Sequence, residues 1–234
     1  MSKSHTITDR RQHGWRATCR LVMAGWIVML LVGLCPPQVG AASAAPQSAE
    51  NLHQVLIPVL GTTMEQVPIG RVVYVVLAFE SRKDEGGLAV VFKSTPGRFS
   101  RMTQTAVEEA IYRAAHAMGV SPNSWTVVLS LPYAGVTIYG DSCTAMVALS
   151  VMTLASGHDV PTDRVITGTV TPDGRIGPVG AVPLKVAAAS EAHLRRVIVP
   201  EEQDAAETPW ETPFLMQVSP VGTVVQAYEA FVDR

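Results

Sequence analysis

A serine hydroxyl becomes a useful nucleophile only when a nearby base accepts its proton, and one serine of this chain sits in a setting suited to that work. Ser142 stands where a glycine-punctuated loop, Tyr139-Gly140-Asp141-Ser142, runs into a fifteen-residue stretch without charge, Ser142 to Ser156. Such a stretch reads as a helix buried on most sides and stopped by Gly157. Its N-terminus would aim backbone N–H groups, and the positive end of its dipole, at negative charge developing beside the serine. Gly140, Asp141 and Cys143 are the loop positions that could shape such an oxyanion site. Lys185 follows Gly180-Ala181-Val182-Pro183-Leu184 in the first turn of another helix, with Pro183 suited to the helix start; by itself neither it nor Ser142 decides a chemistry. Lysine accepts a proton only when neutral, so its pKa would have to fall from ~10.4 to roughly 7–8 in a dry pocket. Val179, Val182, Leu184, Val186 and Ala187 offer the apolar surroundings. Each residue also has a plainer reading: Ser142 as a helix cap, Lys185 as an exposed lysine with its stem along apolar surface. Cys143 is a third nucleophile candidate, set against a role as a small apolar helix residue.

Other chemistries lack their signatures. The chain has no G-x-x-x-x-G-K-S/T phosphate loop, no H-E-x-x-H, no C-x-x-C and no G-x-S-x-G. No cofactor and no metal ligand set are therefore expected. Six histidines are scattered; His158, just beyond the uncharged stretch, suits a cation's place at a helix C-terminus. Asp84 and Glu85 read as solvated loop charges. Residues 1–44 hold five Lys/Arg and one acid, which leaves 13 bases and 19 acids in the body. An acidic body without a basic stripe argues against a nucleic-acid partner.

With 47% hydrophobic and 16% charged residues among 234, the chain should fold around a sizeable core. Residues 1–44 read as an export signal or an N-terminal anchor: five basic residues precede the apolar run 21–35, and Ala42-Ser43-Ala44 offers an A-x-A cleavage site. The fifteen-residue run spans roughly 22 Å as a helix, short of the ~30 Å hydrocarbon core, so cleavage is the first expectation and a membrane anchor the alternative. Both place the body outside the cytosol, periplasmic or secreted. Residues 45–68 read as a linker and 69–234 as the domain. Within it, 72–79 and 88–92 are β-branched runs expected to form a long hairpin. A helix is expected over 103–118, a strand over 125–131, a loop over 132–141 and the uncharged helix over 142–156. Strands at 165–170, 196–199 and 214–218 and helices from 183 and over 221–232 complete a mixed α+β pattern.

From Gly140 to about Pro200 the chain resembles the proteolytic domain of Lon proteases. The family's G-P-S-A-G is here Gly140-Asp141-Ser142-Cys143-Thr144. Its T-G-E-I-T-x-x-G-x-x-x-P-x-G-G block resembles Thr167-Gly168-Thr169-Val170-Thr171-Pro172-Asp173-Gly174, then Pro178, Gly180 and Ala181. Its lysine, the second in G-G-L-K-E-K, falls on Lys185, 43 positions after Ser142 and without a gap between them. The family's I-x-x-V-I-V-P end resembles Leu194 to Pro200, and a looser likeness runs over the domain from about residue 69.

The resemblance implies a Lon-type fold with short mixed sheets packed on helices, and a Ser-Lys dyad in which Ser142 is the nucleophile, Lys185 the general base and Thr167 the residue holding the lysine. It implies a serine endopeptidase and, by analogy, a homo-oligomeric ring; residues 1–44 make the expected enzyme exported, and the missing phosphate loop makes it ATP-independent and directed at unfolded protein or peptide, with a separate partner ATPase as the alternative. The departures support an alternative, a catalytically weak or inactive Lon-like binding or scaffold module. Asp141 replaces a proline beside the serine, Tyr139 stands where the family has an aspartate, Thr169 where it has a glutamate, and Val128 and Ser130 where it has histidines.

Overall fold

A computed structural model describes residues 53–202 and 211–233, all within one compact unit; the expected signal or anchor, residues 1–44, lies outside them. The architecture is mixed α/β, with four helices and several small sheets. The described residues begin with an antiparallel pair, β1 (His53–Thr62) and β2 (Gly70–Ser81), in register from His53 opposite Phe79 to Thr62 opposite Gly70. Residues 53–62 of what reads as a linker over 45–68 are therefore sheet. Val55 to Leu60 carry the apolar signal, and Pro58 is tolerated because β1 is an edge strand, where a missing N–H costs little.

The expected hairpin between the next two runs does not form. β3 (Ala89–Phe92) passes through β4 (Arg98–Phe99) and α1 (Arg101–Ala117) before β5 (Trp125–Ser130) returns parallel to β3 and antiparallel to β2. The sheet order is β1-β2-β5-β3. The crossover helix makes parallel pairing of β3 and β5 possible, and Arg82 secures the loop before β3 by donating to the carbonyls of Trp125, Gly87 and Asn123.

β6 (Thr137–Ile138) pairs parallel with β4, then α2 (Thr144–Ala155) runs through the centre. Every residue of α2 from Thr144 to Leu154 is buried. A helix without a polar face must be covered all round, and α1, α4 (Val224–Val232), β1, β2, β7 (Arg164–Ile166) and β8 (Thr169–Val170) supply the cover. Full burial of Met146 and Leu149 contributes about 1.5–3 kcal/mol each. β8 pairs with β9 (Ile176–Gly177), α3 (Val182–Glu191) follows, and β10 (Arg196–Pro200) lies parallel between β7 and β11 (Gln217–Val221). Among the described residues no helix is long and apolar enough to cross a membrane.

α3 packs on the first residues of β2 so closely that a Cβ at Gly70 would lie 2.0 Å from the Leu184 carbonyl oxygen. Backbone cannot yield as a flexible side-chain tip does. Gly70→Ala should lower stability by about 1–3 kcal/mol, read as a drop of several degrees in melting temperature, and an unchanged melt would contradict this packing.

Candidate active site

Lys185 is the one charged side chain in the buried set among the described residues, at 4% exposure. The reason is its place on α3: Val182, Lys185, Val186 and Ala189 are buried at the i, i+3, i+4, i+7 spacing of a single helix face. The lysine thus occupies a core position, and the alternative of an exposed lysine does not hold. Of its expected apolar surroundings, Val179, Val182 and Val186 are buried, whereas Leu184 and Ala187 face outward. A buried ammonium gives up hydration that a neutral amine needs far less.

Ala181 caps α3 in the left-handed region, at φ 59°, and its carbonyl accepts from the Lys185 N–H at 3.1 Å. A residue with a Cβ pays roughly 1–2 kcal/mol there, so strain lies one turn from the buried amine.

Ser142 is half-buried and precedes α2. The cap position belongs to Cys143, and no side chain caps the helix; the Ser142 hydroxyl is not used as the plainer reading expects. The backbone of Ser142 is clasped from the opposite side. Its carbonyl accepts from the Gly168 N–H at 3.0 Å and from the Thr167 hydroxyl at 3.3 Å, while the Gly168 carbonyl accepts from the Ala145 N–H at 3.1 Å. Gly168 has room for no side chain, because a Cβ would stand 2.6 Å from the Ile176 methyl. Fully buried Thr167 therefore spends its proton on the serine's own peptide.

The N–H groups around the serine complete the geometry. Thr144 donates to the Asp141 carbonyl at 2.9 Å and Val147 to that of Cys143 at 3.2 Å, whereas the N–H groups of Asp141, Ser142 and Cys143 donate to no other described residue. Gly140, at φ 84°, makes the bend that brings them together. Asp141 is exposed.

The Cys143 thiol is pushed up from 9.0 to about 11, first by burial; its own backbone and the Lys185 charge oppose this, and the Asp141 charge adds to it. A buried thiol that keeps its proton at neutral pH does not serve as the nucleophile of the third reading. Among the described residues no cluster of histidine, cysteine or carboxylate is suited to a metal. His158 lines a separate 570 Å³ cavity with Asp159, Asp163 and Tyr228.

The helix that begins after Ser142 and the helix that carries buried Lys185 both pack on β1 and β2 of one mixed α/β domain. The family model of the Lon protease (S16) C-terminal proteolytic domain matches residues 100–232, and the chain belongs to that family. It is 24% identical over 195 residues to a Lon protease of Phenylobacterium zucineum, covering 80% of this chain and 24% of the relative. It is 28% identical over 169 residues to the archaeal Lon protease of Thermococcus kodakarensis, 70% of this chain and 25% of the relative. With Lon protease 4 of Sorangium cellulosum it shares 35% over 108 residues, 45% of this chain and 14% of the relative. The chain spans about a quarter of the length of the first two of these relatives.

The thiol sets an alkaline prediction. From pH 9 to 11 the unfolded chain gives up a proton that folded Cys143 keeps, so stability falls as pH rises through that window, by about 3 kcal/mol in all. Urea midpoints of the wild type and of Cys143→Ala, followed across it, should diverge, with the alanine variant losing less; parallel curves would refute the buried, protonated thiol.

Proposed function

We propose that the domain hydrolyses peptide bonds with Ser142 as nucleophile and Lys185 as general base. The observation that carries this is the burial of Lys185 at a core position of α3, which favours the neutral amine a base requires. Its amine takes the Ser142 proton as Oγ attacks the carbonyl carbon. The oxygen that becomes negative is met by N–H groups at the start of α2. The lysine ammonium then returns the proton to the departing amine, leaving an acyl-serine, and a water activated by the same lysine releases the acid. Thr167, with its proton directed to the Ser142 carbonyl, keeps lone pairs as acceptors and is assigned to positioning the lysine amine.

The same reading takes unfolded protein or short peptides as substrates, since a Ser-Lys site reaches only segments that arrive extended. It makes hydrolysis independent of ATP, on the ground that the sequence carries no phosphate-loop motif. Export rests on the basic residues, apolar run and A-x-A of residues 1–44, and a homo-oligomeric ring rests on analogy with the family.

Ser142→Ala and Lys185→Met should each abolish cleavage of casein while leaving circular dichroism and melting temperature near those of the wild type. Lys185→Arg should fail too, because arginine stays protonated. The rate should rise toward alkaline pH and be indifferent to EDTA and ATP. Activity in Ser142→Ala would refute the nucleophile; strict dependence on ATP would point to a partner ATPase; a wild type inert on every substrate would favour the scaffold alternative.

A further inference from the structure

Thr103 sits in the first turn of α1, fully buried, with three polar neighbours around its hydroxyl. It donates to the Gly140 carbonyl at 2.8 Å and to the Ile138 carbonyl at 3.2 Å, and lies 2.8 Å from the Ser100 hydroxyl. Counting protons fixes the direction of the chain. Carbonyls only accept and Thr103 has one hydroxyl proton, so Ser100 must donate to Thr103 while its oxygen also accepts the Thr103 N–H at 3.2 Å. The result is a directed relay, Ser100 O–H to Thr103 O–H to the carbonyl of Gly140.

Capping does not require it. Ser100 alone caps α1, and a valine at 103 would fill the same buried volume, so the hydroxyl is specified by what it holds. What it holds is a peptide two residues from Ser142. A peptide unit is planar and trans, so anchoring the Gly140 carbonyl toward α1 turns the Asp141 N–H to the opposite side. That N–H belongs to the group at the start of α2 that has no acceptor among the described residues.

We propose that Thr103 is a positioning residue: its hydroxyl locks the Gly140–Asp141 peptide so that the N–H groups flanking Ser142 face the oxyanion. The assignment rests on Ser142 being the nucleophile. The α1 hydroxyl acts through the backbone and touches no reacting atom.

Full-length wild type, Thr103→Val, Thr103→Ser and a core truncation away from the loop, Ile57→Val in β1, are compared in peptide hydrolysis and in the rate of labelling by a fluorophosphonate, whose adduct needs the same oxyanion donors. Thr103→Val should lose roughly 10- to 100-fold in kcat, with KM nearly unchanged and labelling slowed in proportion. Thr103→Ser should restore both, and Ile57→Val should keep the wild-type kcat. If the valine variant does not fold, Thr103→Ala must show the same loss of kcat at constant KM. Full kcat and labelling rate in a folded variant lacking the hydroxyl would overturn the Thr103 assignment alone, as would an equal kcat loss in Ile57→Val. A wild type that neither cleaves peptide nor takes up the phosphonate would overturn the Ser142 reading and this assignment with it.

Discussion

An α-helix with no polar face cannot lie on a surface, and α2 imposes that condition on everything around it. Helices and strands from both ends of the described chain converge on it, and even its hydroxyls turn inward, Ser150 to the Met146 carbonyl and Thr153 to that of Leu149. Covering the helix leaves its N-terminus as the place where backbone donors emerge. The clasp of Ser142, Thr167, Gly168 and Ala145 then fixes that end to the start of β8, so the position of the serine follows from the packing of the core rather than from a free loop. The same logic governs α3, where a lysine shares a stripe with Val182, Val186 and Ala189.

What the sequence made legible was whatever depended on local pattern. α2 announced itself by fifteen residues without charge, and α1 by apolar spacing that placed its bounds within two residues of those observed. Strand partnership was not legible, because the runs 72–79 and 88–92 are both β-branched and nothing in either says that β5 will insert between them. β1 was missed because Pro58 and Gly61 punctuate an otherwise apolar run, and only its edge location makes the proline harmless. Ser142 and Lys185 were found through motif spacing, although the i, i+3, i+4 array of Val182, Lys185 and Val186 was itself a sign that the lysine faces inward. The Ser100 and Thr103 relay had no sequence signal beyond two hydroxyls three residues apart, a pattern that capping alone accounts for.

Burial strips hydration from the proposed base, Lys185, at its core position on α3. Among the described residues the other buried polar side chains are Thr103, Thr144, Ser150, Thr153 and Thr167, all hydroxyls, and a hydroxyl brings no charge into the core. The chain holds the uncharged residues Tyr139, Thr169, Val128 and Ser130 at the positions where the resemblance leads us to expect acids and histidines. A carboxylate beside a lysine stabilises the ammonium and works against proton acceptance, so uncharged residues at 139 and 169 are compatible with the role proposed for Lys185. Asp141, beside Ser142 in the chain, is exposed to water, where hydration and salt weaken its field. Burial of the α3 lysine is thus the observation on which the proposed base rests, and an exposed acid at position 141 opposes it only weakly.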